Sequence, residues 1–379
     1  MILASVVGAF AVAVANGPAG NAFYQPPAPL PALTEGGVIW AQRFSGGAAL
    51  PSAATNYRVL YETLAGSGAS VAVSGTLAIP PGRPPAGGWP IISWAHGTTG
   101  NAPQCAPSRF ETPDLEQQMV DGFVRRGYAV AQTDYEGIGT PGIHPYMVAL
   151  SAARDVTDIV RAAREVDPDI GTRWIVMGHS QGGAAALATA AAGPLIAPEL
   201  DLLGAVAYAP FSTPEGMLQD ELPSTTPNSG MAILALLIEG FSTVDPRVVP
   251  GEMLEPAAVK LLPELEQRCL PYLMTISQWS QIVPHSIFSP KAESAIAALD
   301  EDLLKNSPGN FKITIPTLLV NGTADTQVAS ESTLLLRDRL QRRGTTVEFK
   351  AYLGATHGSV LAASAADVAA WVAARFAGR

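Results

Sequence analysis

The sequence predicts an α/β fold in which a mostly parallel central sheet is flanked by helices and carries a helical insertion, and three observations predict it. Trp174-Ile175-Val176-Met177 is a short apolar run of buried-strand type. It breaks at Gly178-His179-Ser180-Gln181-Gly182 and passes straight into small, helix-compatible alanines, the order strand, sharp turn, helix. Two later strand-like runs, 313–320 and 347–353, each end in a glycine-containing loop that bears a titratable residue. Between the strand expected at 203–209 and that at 313–320 lie far more residues than a simple crossover needs.

Taken in order, the first fifteen residues, Met1 to Ala15, are apolar, too short to span a membrane comfortably, and give way at once to asparagine, glycine and proline. They read as the apolar core of a secretory leader with Ala15 or Ala22 as the cleavage point. No Lys or Arg precedes Arg43, so the usual positive flank is missing, and the rival reading is a buried N-terminal helix. Ile91-Ile92-Ser93-Trp94-Ala95 is a buried-type strand that opens into His96-Gly97-Thr98-Thr99-Gly100. Tyr128-Ala129-Val130-Ala131-Gln132 is another, and it ends at Thr133-Asp134-Tyr135-Glu136-Gly137. An amphipathic helix is expected over Ala149–Val166. Within the insertion, 231–238 is strongly apolar, and 256–267 and 290–304 are further helical stretches. Such helices would cover the sheet edge, either lining a pocket or forming a core of their own.

With 36 glycines in 379 residues, a chance Gly-x-Ser-x-Gly is expected roughly 0.2 times, so the context has to carry the argument. The turn forces its serine into strained backbone geometry, and glycines two residues to either side let strand and helix pass closely. The helix N-terminus then directs its amides and dipole at the place where an oxyanion would form. A serine hydroxyl is inert at neutral pH without a base. An acid and a histidine follow in the chain order such a turn requires: Asp325 in Asn321-Gly322-Thr323-Ala324-Asp325, and His357 in Gly354-Ala355-Thr356-His357-Gly358. Loops beyond the carboxyl ends of parallel strands converge, so Ser180, Asp325 and His357 are the expected catalytic residues. The amide of Gln181 is the first expected oxyanion donor, and the second falls to Gly97 or Thr98.

The remaining candidates take blander roles. His96 is expected to shape its loop, and His179 to pack beside or support the serine. His144 and His285, beside prolines, are expected to face solvent or bond locally. No histidine has metal-ligand spacing, and neither metal nor cofactor is expected. Asp134 and Glu136 precede the serine, the wrong order for the acid of a triad, and are read as structural or substrate-edge groups. Asp155 and Asp158 are read as solvated or capping charges of their helix.

These residues resemble the secretory lipase family. The likeness runs from Phe23-Tyr24-Gln25-Pro26-Pro27-Ala28-Pro29-Leu30-Pro31 through His96-Gly97-Thr98-Thr99-Gly100, Cys105-Ala106-Pro107-Ser108 and Asp134-Tyr135-Glu136-Gly137 to the end of the chain. It implies a secreted carboxylic-ester hydrolase with an α/β-hydrolase core and a helical cap, acting on acylglycerols or simpler esters. The expected division is a leader at 1–22, core at 23–210 and 311–379, and a cap at 211–310. The chain ends at Arg379 soon after its final helix, so the elaborated C-terminal flap of fungal members is not expected, and substrate preference is not carried over.

Cys105 and Cys269 are the two cysteines of the chain; in an exported protein they permit one disulfide tying cap to core, the alternative being two buried thiols. A composition 47% hydrophobic and 15% charged suits a large core. The net charge of -10 argues against nucleic acid or an anionic membrane as an electrostatic partner. The expected partner is an ester or lipid molecule, with a transient lipid interface in play; the oligomeric state is not readable. A serine acyltransferase or peptidase would share the same triad. A non-catalytic binding module would predict the loss of a triad member, and none is lost.

Overall fold

A computed structural model of the chain describes residues 15–212, 218, 224–227 and 230–378. The expected leader lies outside the described residues over 1–14. Of its remainder, Asn16 bridges Ala41 in parallel and the buried Gly17 donates its amide to the Ala41 carbonyl at 3.2 Å, while 18–22 are exposed; Phe23, the residue that follows, is buried.

Among the described residues the nine strands are β1 (Val38–Phe44), β2 (Thr55–Leu64), β3 (Ser70–Ile79), β4 (Trp89–Ala95), β5 (Ala129–Thr133), β6 (Ile170–His179), β7 (Asp201–Tyr208), β8 (Thr317–Gly322) and β9 (Val347–Tyr352). They form one sheet in the order β1-β2-β3-β5-β4-β6-β7-β8-β9. The first three strands meander antiparallel and join β5 antiparallel. From β5 through β4 to β9 every pairing is parallel.

The helices are α1 (Leu115–Val124), α2 (Ala149–Val166), α3 (Gln181–Ile196), α4 (Gly230–Ser242), α5 (Glu293–Asn306), α6 (Ser330–Arg342) and α7 (Ala365–Phe376), with shorter turns between them. Strand side chains alternate between faces, and the sheet is apolar on both. In β6, Trp174 and Val176 enter a core with Ile159 of α2, Leu187 of α3 and Leu336 of α6. Ile175 and Met177 enter the opposite core with Phe123 of α1 and Trp371 of α7. That two-sided burial explains why the strand reads as a continuous apolar run.

Two element expectations change. The strand expected at 313–320 begins only at Thr317, because Pro316 has no amide to give the ladder; its carbonyl still accepts from the Ala205 amide at 3.0 Å. The stretch at 256–267 is two separate turns, Pro256–Val259 and Leu262–Leu265, each opened by a proline in its first turn. The helix at Ala149–Val166 forms over the expected range.

The segment between β7 and β8 builds its own apolar cluster. Leu234, Leu237 and Phe241 of α4 pack with Leu265, Leu273, Trp279 and Leu299, and the cluster meets the rest of the protein at Tyr146–Val148 and Ala184. Residues 231–238 are therefore mostly the interior of this segment. Ile233 is the one of them that reaches the cavity over the sheet edge.

Cys105 and Cys269 form the expected disulfide, with Cα atoms 5.5 Å apart. The seam around it is tight: the Leu270 amide donates to the Thr99 carbonyl at 2.8 Å, and Gln104 Nε2 donates to the Gln267 carbonyl at 2.6 Å. The bridge closes a span of 164 residues. Replacing both cysteines by serine is expected to cost about 2–5 kcal/mol of stability, read as a lowered urea midpoint. An unchanged midpoint would mean that the backbone seam alone holds the segment down.

Candidate active site

The strand-to-helix turn is strained at the expected residue. Ser180 has φ 57° and ψ -116°, outside the regions open to most side chains, and it joins β6 to α3. Backbone bonds hold it there. Its amide donates to the Tyr208 carbonyl at 2.9 Å, and its carbonyl accepts from the amides of Ala184 and Phe211, both at 3.1 Å. A Cβ on Gly178 would strike the Gly182 carbonyl, and one on Gly182 would strike the carbonyl of Ala95 on β4. Both glycines are thus required by backbone contact.

Asp325 follows β8 and His357 follows β9, so both stand beyond the carboxyl ends of parallel strands, as Ser180 does. His357 Nδ1 donates to Asp325 Oδ2 at 2.7 Å, and Asp325 Oδ1 accepts the amides of Gln327 and Val328 at 2.8 and 2.9 Å. Burial favours the neutral acid, but the His357 bond and these amides outweigh it and hold the Asp325 carboxyl below the usual range. Ser180 and His357 open onto one cavity of about 590 Å³. Among the described residues no hydrogen bond joins the Ser180 hydroxyl to His357. Such bonds commonly stand long without substrate and tighten when it binds.

Gln181 begins α3, and among the described residues its amide and that of Thr98 have no hydrogen-bond partner. The Gly97 amide, the other expected donor, is taken: it donates to the Glu116 carboxylate, 3.1 Å from each oxygen. The Thr98 hydroxyl bonds the Tyr146 hydroxyl at 2.9 Å. His96 is buried as a loop-shaping group, with Nδ1 2.6 Å from the Gly97 carbonyl and its ring 4.5 Å from that of Tyr135.

Three blander expectations need correction. His144 does not face solvent; it is buried between the Glu136 carbonyl (2.8 Å from Nδ1) and the Gln181 amide nitrogen Nε2 (2.8 Å from Nε2), and burial pushes its pKa down to about 3. His285 is exposed. Asp155 and Asp158 are fully buried rather than solvated. Asp155 accepts the Glu136 amide at 2.8 Å, and Asp158 accepts from the Thr63 hydroxyl at 2.6 Å and from Arg161 at 2.9 Å. Burial raises the pKa of Asp158 to about 6 against the pull of Thr63 and Arg161. These carboxylates lie on the sheet-facing side of α2, where hydroxyl and amide donors of the sheet and its loops meet them. Asp134 is structural: it accepts from the hydroxyls of Ser74 and Ser108 and from the Ser108 amide.

Glu116 was not foreseen from the sequence. It sits in the first turn of α1 beside the N-cap Asp114, a position where an acid is ordinarily only a favourable helix charge. Its carboxylate accepts from Gly97, from Trp94 Nε1 at 3.1 Å, and from His179 Nδ1 at 2.8 Å.

The profile of the secretory lipase family matches residues 107–379. Among curated proteins no relative of significant sequence similarity was found. Among solved structures, Candida antarctica lipase A in its closed state is similar, with a TM-score of 0.77 at 16% identity, over 94% of this chain and 85% of that one. The rice cell wall degrading esterase LipA from Xanthomonas oryzae gives 0.69 at 21% identity, over 90% and 98% of the two chains. A putative hydrolase from Legionella pneumophila gives 0.71 at 23% identity, over 84% and 88%. At these identities the structures attest the α/β-hydrolase fold, and the profile match over most of the chain attests the family. The chain belongs to the secretory lipase family and is a carboxylic-ester hydrolase.

Proposed function

We propose that Ser180, His357 and Asp325 hydrolyse carboxylic esters by two-step acyl transfer. The observation that carries this reading is the 2.7 Å bond from His357 Nδ1 to Asp325, with His357 and Ser180 facing one cavity. As Ser180 Oγ attacks the ester carbonyl carbon, His357 takes the hydroxyl proton at Nε2, and Asp325 stabilises the imidazolium. The amides of Gln181 and Thr98 hold the oxyanion, the Gly97 amide being spent on Glu116. Collapse breaks the bond to the alcohol oxygen, which receives the proton from His357. Water then repeats the sequence on the acyl-enzyme, releasing the acid and restoring Ser180.

The segment 211–310 is the cap in this reading, between core portions 23–210 and 311–379. It supplies Phe211, Ile233, Leu270 and Met274 to the cavity wall, and Val328 adds to the apolar side. The family's secretory character and the disulfide support export.

An apolar wall of this kind accepts an acyl chain, and each methylene buried contributes about 0.8 kcal/mol. For p-nitrophenyl esters, kcat/KM is therefore expected to rise from acetate to octanoate, about threefold or more per added carbon until the wall is filled. A flat or falling series would place the acyl chain outside the cavity, and no turnover of any ester would defeat the reading itself. A further jump on long chains at an oil-water interface would mark a lipase, and its absence an esterase.

A further inference from the structure

We infer that His179 is a positioning residue held as an imidazolium, its two ring N–H groups clamping the Glu116 carboxylate to the backbone of His357. Nδ1 lies 2.8 Å from Glu116 Oε1, and Nε2 lies 3.0 Å from the His357 carbonyl oxygen. A carboxylate and a carbonyl can only accept. A neutral imidazole has one N–H to give, so both bonds are made only by the doubly protonated ring. This inference rests on the reading of His357 as the base.

The clamp joins the two loops on which that chemistry depends. Glu116 accepts the Gly97 amide, fixing the loop after β4 that presents Thr98. His179 immediately precedes Ser180, and its ring centroid is 4.4 Å from that of His357. One ion pair therefore sets the histidine loop and the oxyanion loop against the serine turn.

The groups facing it are Glu116 on α1 and its N-cap Asp114, His96 on the loop after β4, and Asp325 and His357 on the loops after β8 and β9. Burial opposes a charge on His179, but the Glu116 carboxylate, the His357 carbonyl and Asp325 outweigh it and hold the imidazole above its ordinary pKa. Burial likewise opposes the Glu116 charge. His179, His96 and the Gly97 amide outweigh that and hold Glu116 below the usual carboxylate range. The cation's contribution is complete at low pH and is lost as pH rises through its raised pKa. The carboxylate's is complete at high pH and is lost as pH falls through its depressed one. The clamp is whole between the depressed pKa of Glu116 and the raised pKa of His179, and it opens as pH rises through the latter.

Two measurements test this. Long-range proton–nitrogen NMR of the resting enzyme, with His179 assigned from His179→Gln, is expected to show both ring nitrogens protonated near neutral pH. In Glu116→Gln, whose amide oxygen can still accept from Gly97, His179 is expected to titrate about one to three pH units lower. The alkaline limb of kcat should move down with it while KM changes less than about twofold. A His179 with one bare ring nitrogen at neutral pH would overturn the inference whether or not the variant folds, as would an alkaline limb unmoved in a folded Glu116→Gln. The resting spectrum does not depend on turnover, so it can fail while a Ser180 substitution still abolishes activity, and the reverse.

Discussion

Ser180→Ala is expected to lower kcat for ester hydrolysis by about a million-fold, some 8 kcal/mol of barrier, while leaving the fold intact. The loss is that large because the reading assigns every covalent step to one hydroxyl, and residual catalysis would come only from the oxyanion amides and the cavity. The fold should survive because, among the described residues, no hydrogen bond that shapes the turn is made by the hydroxyl. The bonds from Ser180 to Tyr208, Ala184 and Phe211 are all made by its backbone, and alanine carries the same Cβ through the same φ of 57°. Thermal unfolding should therefore stay within about 1 kcal/mol of the parent. Turnover within tenfold of the parent in a folded Ser180→Ala would remove Ser180 as nucleophile, and with it the acyl-enzyme.

The parts of this site that were legible in the sequence are those in which local geometry forces a residue type. Gly178 and Gly182 are dictated by carbonyls that a Cβ would strike, so the serine turn announces itself in five residues. Asp325 and His357 could be placed because each follows a strand-like run, the fully buried β8 and the half-exposed edge strand β9, and parallel strands end at one edge. What was illegible depends on contacts between distant elements. Glu116 looks like any acid in a first helical turn, and only the folded chain brings it to Gly97 and His179, 19 and 63 residues away. Asp155 and Asp158 look solvated because charge usually marks the wet face of a helix. Here Thr63, Arg161 and the Glu136 amide supply donors inside. Gly97 and Thr98 were equivalent as oxyanion donors until Glu116 engaged one of the two amides.

Asp325→Asn is expected to lower kcat about 10³–10⁴-fold with little change in stability, and the surroundings of the side chain say why. The carboxylate has two differentiated oxygens: Oδ1 accepts the amides of Gln327 and Val328, and Oδ2 accepts from His357 Nδ1. An asparagine here must keep its oxygen toward the two amides, since turning its NH₂ to them would set donor against donor twice. Its NH₂ is then directed at His357 Nδ1, which can meet a donor only by accepting. The ring proton is driven to Nε2, the nitrogen that must be bare to take the Ser180 proton, so the enzyme holds the wrong tautomer with its geometry preserved. The measurement is kcat on a p-nitrophenyl ester together with the nitrogen shifts of His357. The expected outcome is a protonated Nε2 and a bare Nδ1. An Asp325→Asn enzyme within tenfold of the parent, or one whose His357 keeps its proton on Nδ1, would show that the carboxylate does not select the tautomer.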